Sequence, residues 1–171
     1  MTYGTPTWLD EVLTLTCSQL VSVCKLPASD VFESLADDAE HARFPPAKTF
    51  IVLRPLSLPV AAGVGGGGRL NTGVDFSFRV SVFQEFASDQ ELRDTRLLRE
   101  RSRSIMGMTL KVVNSLQMFS PLRSAGVCVL KEPMRMRGLD IAPRRIKETN
   151  WAVVASTWEA SFVVTMPATT P

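Results

Sequence analysis

The sequence predicts an α+β domain. Its sheet has about four main strands, antiparallel or mixed, with an N-terminal helix and a long helix packed on one face and an extended glycine-rich hairpin. Three observations carry that prediction. Residues 73–86, GVDFSFRVSVFQEF, alternate Val74, Phe76, Phe78, Val80, Val82 and Phe86 with Asp75, Ser77, Arg79, Ser81 and Glu85, the two-residue period of a strand with one buried face. In the next segment, Leu92, Thr95, Leu98, Ser102, Ile105, Thr109, Val112, Leu116 and Phe119 step by three or four residues, the period of one helix face. Residues 151–166 return to alternation: Val154, Trp158, Phe162, Val164 and Met166 lie on one side, with Ala152 and Ala160 among them. Thr157, Glu159, Ser161 and Thr165 lie on the other, wetter side. Helices set apart from antiparallel strands define the α+β class.

A chain of 171 residues most simply makes one domain, here 1–171, with a core large enough to need no staples. Nineteen basic and seventeen acidic residues leave a formal charge of +2, too balanced to indicate a nucleic-acid binder. No apolar run approaches the roughly 18 residues that a membrane span needs, so no membrane partner is expected. The opening MTYGTPTWLDEV lacks a basic leader before an apolar stretch, so it does not read as a secretory signal. Cys17, Cys24 and Cys128 are odd in number and lack CxxC spacing, which fits reduced, mostly buried thiols in a protein made in cytoplasm.

Taken in order, Thr7 caps the first helix, with Asp10 at its third position. Leu9, Val12, Leu13, Thr16, Leu20, Val23 and Cys24 mark its inner face, and Lys25-Leu26-Pro27 ends it. Residues 29–40 read as a short acidic helix or an ordered loop. His41 is the sole histidine and comes after Asp37, Asp38 and Glu40. A run of adjacent charges reads better as a solvated turn than as a metal site, and one histidine leaves little for triad chemistry. No metal, cofactor or catalytic residue is therefore expected, and the chain does not read as an enzyme.

Residues 49–53, TFIVL, read as a strand whose continuation Pro55 and Pro59 make an edge or an irregular arm. The glycine run 63–68 leads through Arg69 into a strand rather than a helix. It therefore lacks the context of a phosphate-binding loop and reads as a flexible hairpin tip, about 60–72. Ser88 and Glu91 have the spacing of a capping box that opens the long helix, and Ser120-Pro121 ends it. Its first half carries Arg93, Arg96, Arg99, Arg101 and Arg103 among acidic residues, a solvated face or a charged subunit contact. Residues 127–130 read as a third strand, with KEPMRMRGLD as its candidate extension beyond a kink at Pro133. Pro143-Arg144-Arg145 begins a turn-rich connection that ends at Asn150. The tail 167–171 is frayed.

The lengths bear on partners. A 171-residue globule is about 40 Å across, yet residues 73–86 and 151–166 would span about 48 and 54 Å if fully extended. Either the strands bend at bulges or their ends project, and projecting edges are covered or used for assembly.

In layout the chain resembles the tail terminator proteins of long-tailed bacteriophages. The resemblance covers roughly residues 8–166. It rests on the N-terminal amphipathic helix, a strand like FIVLRP, a loop-rich hairpin returning through VDFSFRVSVFQEF, an Asp-led helix with LLRER-like content, and a closing strand like WEASFVVTMP. It implies a virion protein of the tail and neck, assembled in the host bacterial cytoplasm. The implied assembly is a homohexameric ring that caps the tail tube protein and meets the head-neck connector or head-closure protein. DNA would touch it only in passing through the channel. The resemblance implies no catalytic residues and no cofactor. Gly65, Gly66, Gly67, Gly68 and Arg69 at the tip are candidate contact residues, as are Arg96 and Arg99 on the helix and Arg135, Arg137, Arg144 and Arg145 near the last strand. Other neck or tail-tube components are close alternatives, and an α+β nucleic-acid-binding module is the alternative of another class.

Overall fold

The computed structural model describes residues 7–35, 48–57, 69–86, 104–118, 128–130, 133–146 and 149–167. Helix α1 spans Thr7–Cys24. Its end is built by backbone geometry: Lys25 adopts a left-handed φ of 55°, and the Leu26 amide donates back to the Val21 carbonyl at 3.3 Å. That six-to-one bond is the signature of a Schellman cap, with Leu26 and Val21 both packing against the core beside it. Pro27 then prevents any continuation. Lysine has a Cβ where glycine is preferred, so Lys25→Gly is expected to raise stability by about 0.5–1 kcal/mol. Urea unfolding of the two chains checks this.

A short 3-10 turn, Ala28–Asp30, leads into strand β1, Val31–Glu33. Residues 29–33 are therefore turn and strand, not an acidic helix. Strand β2 is Thr49–Ser57 and β3 is Arg69–Phe86. Helix α2 is Ile105–Met118. Ser104 is its N-cap: the side-chain oxygen accepts from the Gly107 amide at 3.0 Å and the carbonyl accepts from Met108 at 2.9 Å. A capped start at Ser104 means that the helical period does not run unbroken across this residue, and the expected single helix is corrected accordingly. The capping box at Ser88 and Glu91 lies outside the described residues.

Strands β4, Cys128–Leu130, β5, Arg135–Ile146, and β6, Thr149–Pro167, complete the sheet. Six strands fill five positions in the order β1-β2-β3-β6, with β4 and β5 sharing the far edge of β6. The count of about four main strands was thus low. β1 is parallel to β2, and every other pairing is antiparallel. The segment around Pro143-Arg144-Arg145 is also corrected. It is strand, opposite Ala152, Trp151 and Asn150, and a two-residue connection joins Ile146 to Thr149. Its proline is tolerated because no strand among the described residues pairs with the outer side of β5.

β3 and β6 pair without a register break from Arg69↔Pro167 to Phe86↔Asn150. The length is not absorbed by a bulge between them. β2 reaches only Ser77, so the ribbon's far end runs on past it. Of the hairpin tip expected at about 60–72, residues 69–72 are strand in this ribbon, and the glycine run 63–68 lies outside the described residues.

Two apolar clusters sit on opposite faces of the sheet. The larger joins Phe76, Phe78, Val80, Val82, Val154, Trp158 and Phe162 to the inner sides of α1 and α2. The Gln19 amide, donating to Ser115 Oγ at 3.1 Å, ties the two helices together. The smaller, on the other face, holds Phe50, Val52, Phe83, Trp151 and Val153. Within residues 151–162 of β6, that face is therefore wet only at Thr157, Glu159 and Ser161, not along its whole length.

Candidate functional site: an open sheet edge and a charged cleft

β5 begins beside Arg135↔Glu159 and Met136↔Trp158, and its register then slips so that Gly138 faces Thr157. Arg137 is the inserted residue of this bulge. A bulge reverses the in–out alternation of the residues beyond it. Before it, Met136 shares the helix side of the sheet with Trp158. After it, Leu139 opposite Ser156 and Ile141 opposite Val154 fall on that same side. Without the slip, Gly138 and Asp140 would lie there instead. The resulting apolar row is left open, with Met136 39%, Leu139 42% and Ile141 52% exposed. Sequence reasoning missed this row because the bulge interrupts its period; the Leu139–Ile141 alternation was the available signal.

On the opposite face, Asp75, Ser77, Arg135, Arg137, Glu159 and Ser161 line a cleft of about 340 Å³. Arg137 Nε donates to Glu159 Oε2 at 2.7 Å, an exposed ion pair. Ser161 Oγ donates to Asp75 Oδ1 at 2.7 Å, and the Ser57 and Ser77 hydroxyls share a hydrogen bond of 2.5 Å. Carboxylates, guanidiniums and hydroxyls here satisfy one another, an arrangement fit for polar docking. Among the described residues no group of three His, Cys, Asp or Glu side chains has the closeness to hold a metal ion. No described helix is long and apolar enough to cross a membrane.

At the other end of the sheet, Thr14, Cys17, Ser18 and Val21 of α1 form an i, i+3, i+4, i+7 stripe. With Val31 and Glu33 of β1 they line an open groove of about 340 Å³. Burial raises the Cys17 thiol to about 12, with Glu33 adding to the effect, and raises Cys24 to about 11 against a small opposing pull from Lys111. Partial loss of water and then the charge of Asp10 raise the Glu33 carboxyl above its ordinary range. Both thiols stay protonated at pH 8. In a Cys128→Ser chain, their reaction with a disulfide reagent should be about a hundredfold or more slower folded than in urea. A stopped-flow absorbance trace measures the ratio.

The structure brings together only part of the sequence-derived set. Arg135, Arg137 and Arg145 are exposed on β5, and Arg144 occupies the β5 position opposite Trp151. Arg69 starts β3 opposite Pro167, at the far end of the ribbon. Gly65, Gly66, Gly67, Gly68, Arg96 and Arg99 lie outside the described residues, as do His41 and its acidic neighbours.

Fold and surface together define an α+β domain whose two described helices back one side of an open sheet. No family model matches the chain, and no curated protein matches it. Among solved structures, it is similar to a chain from the "Virion of native gene transfer agent (GTA) particle". The identity is 14% and the TM-score 0.48, over 95% of this chain and 99% of that one.

Proposed function

We propose that this chain is a structural virion protein, a tail terminator. Its subunits would form a ring that caps the tail tube and joins it to the head-neck connector, with no catalytic role. The observation that carries this reading is the outer edge of β5, which no described strand pairs, bearing Met136, Leu139 and Ile141 exposed beside arginines. Apolar side chains on an unpaired strand edge are a liability unless a neighbouring subunit covers them. The uninterrupted β3–β6 ribbon supports the reading too. At eighteen paired positions it would reach about 60 Å when extended, longer than a globule of this size is wide. The element order of helix, hairpin strands, helix and closing strand also agrees with the family that the sequence resembles. A ring would cover the exposed surface of the last tube layer, present a different surface to the connector, and leave a channel for DNA.

Mixing the purified chain with purified tail tubes, followed by negative-stain imaging, tests this. The expected result is density at one tube end and arrest of further tube growth. Bare tube ends, together with oligonucleotide binding that weakens steeply with salt, would replace this reading with a nucleic-acid module.

A further inference from the structure

The two edges of the sheet complement each other, and this takes the ring reading, on which the inference rests, to a particular contact. From 135 to 146 the chain carries Arg135, Arg137, Arg144 and Arg145 against Asp140 alone. From 7 to 35 it carries Asp10, Glu11, Asp30 and Glu33 against Lys25 alone. Shape follows the same pairing. The apolar row of β5 lies on the helix side of the sheet. At the far edge, Val31 and Glu33 face the helix side, opposite Ile51 and Leu53, and the outward stripe of α1 overhangs them to form the groove.

We infer that β5 of one copy docks along β1 of a second copy of this chain, with its Met136–Leu139–Ile141 row under the neighbour's α1. The sheet then continues from subunit to subunit with its helices always on the same side. An added strand satisfies the backbone edges of β5 and β1 that no described strand pairs. Arg145, opposite Asn150, shares the helix side with the apolar row and is the arginine that meets Glu33 at the groove; Arg135, Arg137 and Arg144 face the other side of the sheet. Because the two patches differ, the contact is head-to-tail, and it closes into a ring where the rotation per subunit allows.

A pair of half-blocked variants of the full chain tests this by light scattering at increasing concentration. Leu139→Glu with Ile141→Glu blocks only the strand, and Thr14→Arg with Ser18→Arg blocks only the groove. All four side chains are exposed, so near-ultraviolet circular dichroism should match the parent. The unmodified chain should associate into closed oligomers. Each variant alone should stay monomeric, and the mixture should stop at a one-to-one dimer, since only one good strand meets one good groove. Raising salt from 50 to 500 mM should weaken association by roughly tenfold, as screening acts on the charge pairs.

An unmodified chain that is monomeric at about 1 mM overturns the inference. So does a groove-blocked variant that dimerises alone, the mark of two β5 strands pairing with each other, or a mixture that fails to pair. Amide exchange on the unmodified chain supplies a readout free of substitutions. Protection should rise with concentration in 31–33 and at outward-facing amides of 135–146, and unchanged exchange overturns the contact. Capping of tubes by the strand-blocked variant at unchanged affinity would sink this contact and leave the terminator reading intact. Head-to-tail association without tube capping would do the reverse.

Discussion

Replacing Trp158 by alanine is expected to cost about 3–5 kcal/mol, a large fraction of the roughly 5–15 kcal/mol that stabilises a domain. Trp158 is fully buried on the helix side, opposite Phe78 in the register. Its indole Nε1 donates to Ser156 Oγ at 2.8 Å, and that hydroxyl donates to the Val80 carbonyl at 3.2 Å. Truncation therefore opens a cavity in the layer between sheet and helices and removes one donor from a buried chain of bonds. Companion variants separate the two effects. Trp158→Phe keeps much of the volume, so its cost should be smaller. Ser156→Ala leaves the indole N–H without its acceptor and should cost about 1–3 kcal/mol. Urea titration reads all three as shifts of midpoint at unchanged slope. A loss below about 1 kcal/mol for Trp158→Ala would mean that this residue does not sit in the main core.

Phe83→Ala should lose a similar amount, about 3–5 kcal/mol, although it lies on the face of the sheet away from the helices. Its ring stacks on Phe50 with centroids 4.6 Å apart and planes 8° apart. Trp151 meets Phe50 edge-on at 5.1 Å and Phe83 edge-on at 6.5 Å. Aromatic pairs of this geometry add about 0.5–1.5 kcal/mol beyond the area they bury. Were this face wet, as the serines and acids of neighbouring positions imply, the same substitution would cost under about 0.5 kcal/mol, as surface changes usually do. The same urea titration decides between a second core and a solvated face.

The elements legible in the sequence are those that period alone encodes. The alternation of Val74 to Phe86 and of Trp151 to Met166 marks β3 and β6, whose long pairing forms the middle of the sheet. The stop at Lys25-Leu26-Pro27 is the observed end of α1. β1 was not legible, because three residues are too few to show a period and are held as strand by Ile51, Val52 and Leu53 beside them. The strand through Pro143 was not legible either. An exposed edge needs no alternation, and its conformation comes from the partner backbone of β6. Phe83 breaks the apolar phase of its own strand, so its burial could not be read from that strand.

For the candidate site, the sequence supplied Arg135, Arg137 and Arg145 but not the apolar row between and beside them. That row exists because the register slips at Arg137, and a slip is a property of two strands rather than of one. The sequence by itself determined which residues alternate, where the first helix stops, and how charge is divided between the two ends of the chain. Only the tertiary structure decided which edges stay open and which side chains share a face. Those features depend on pairing between segments far apart in sequence, and no local pattern carries that information.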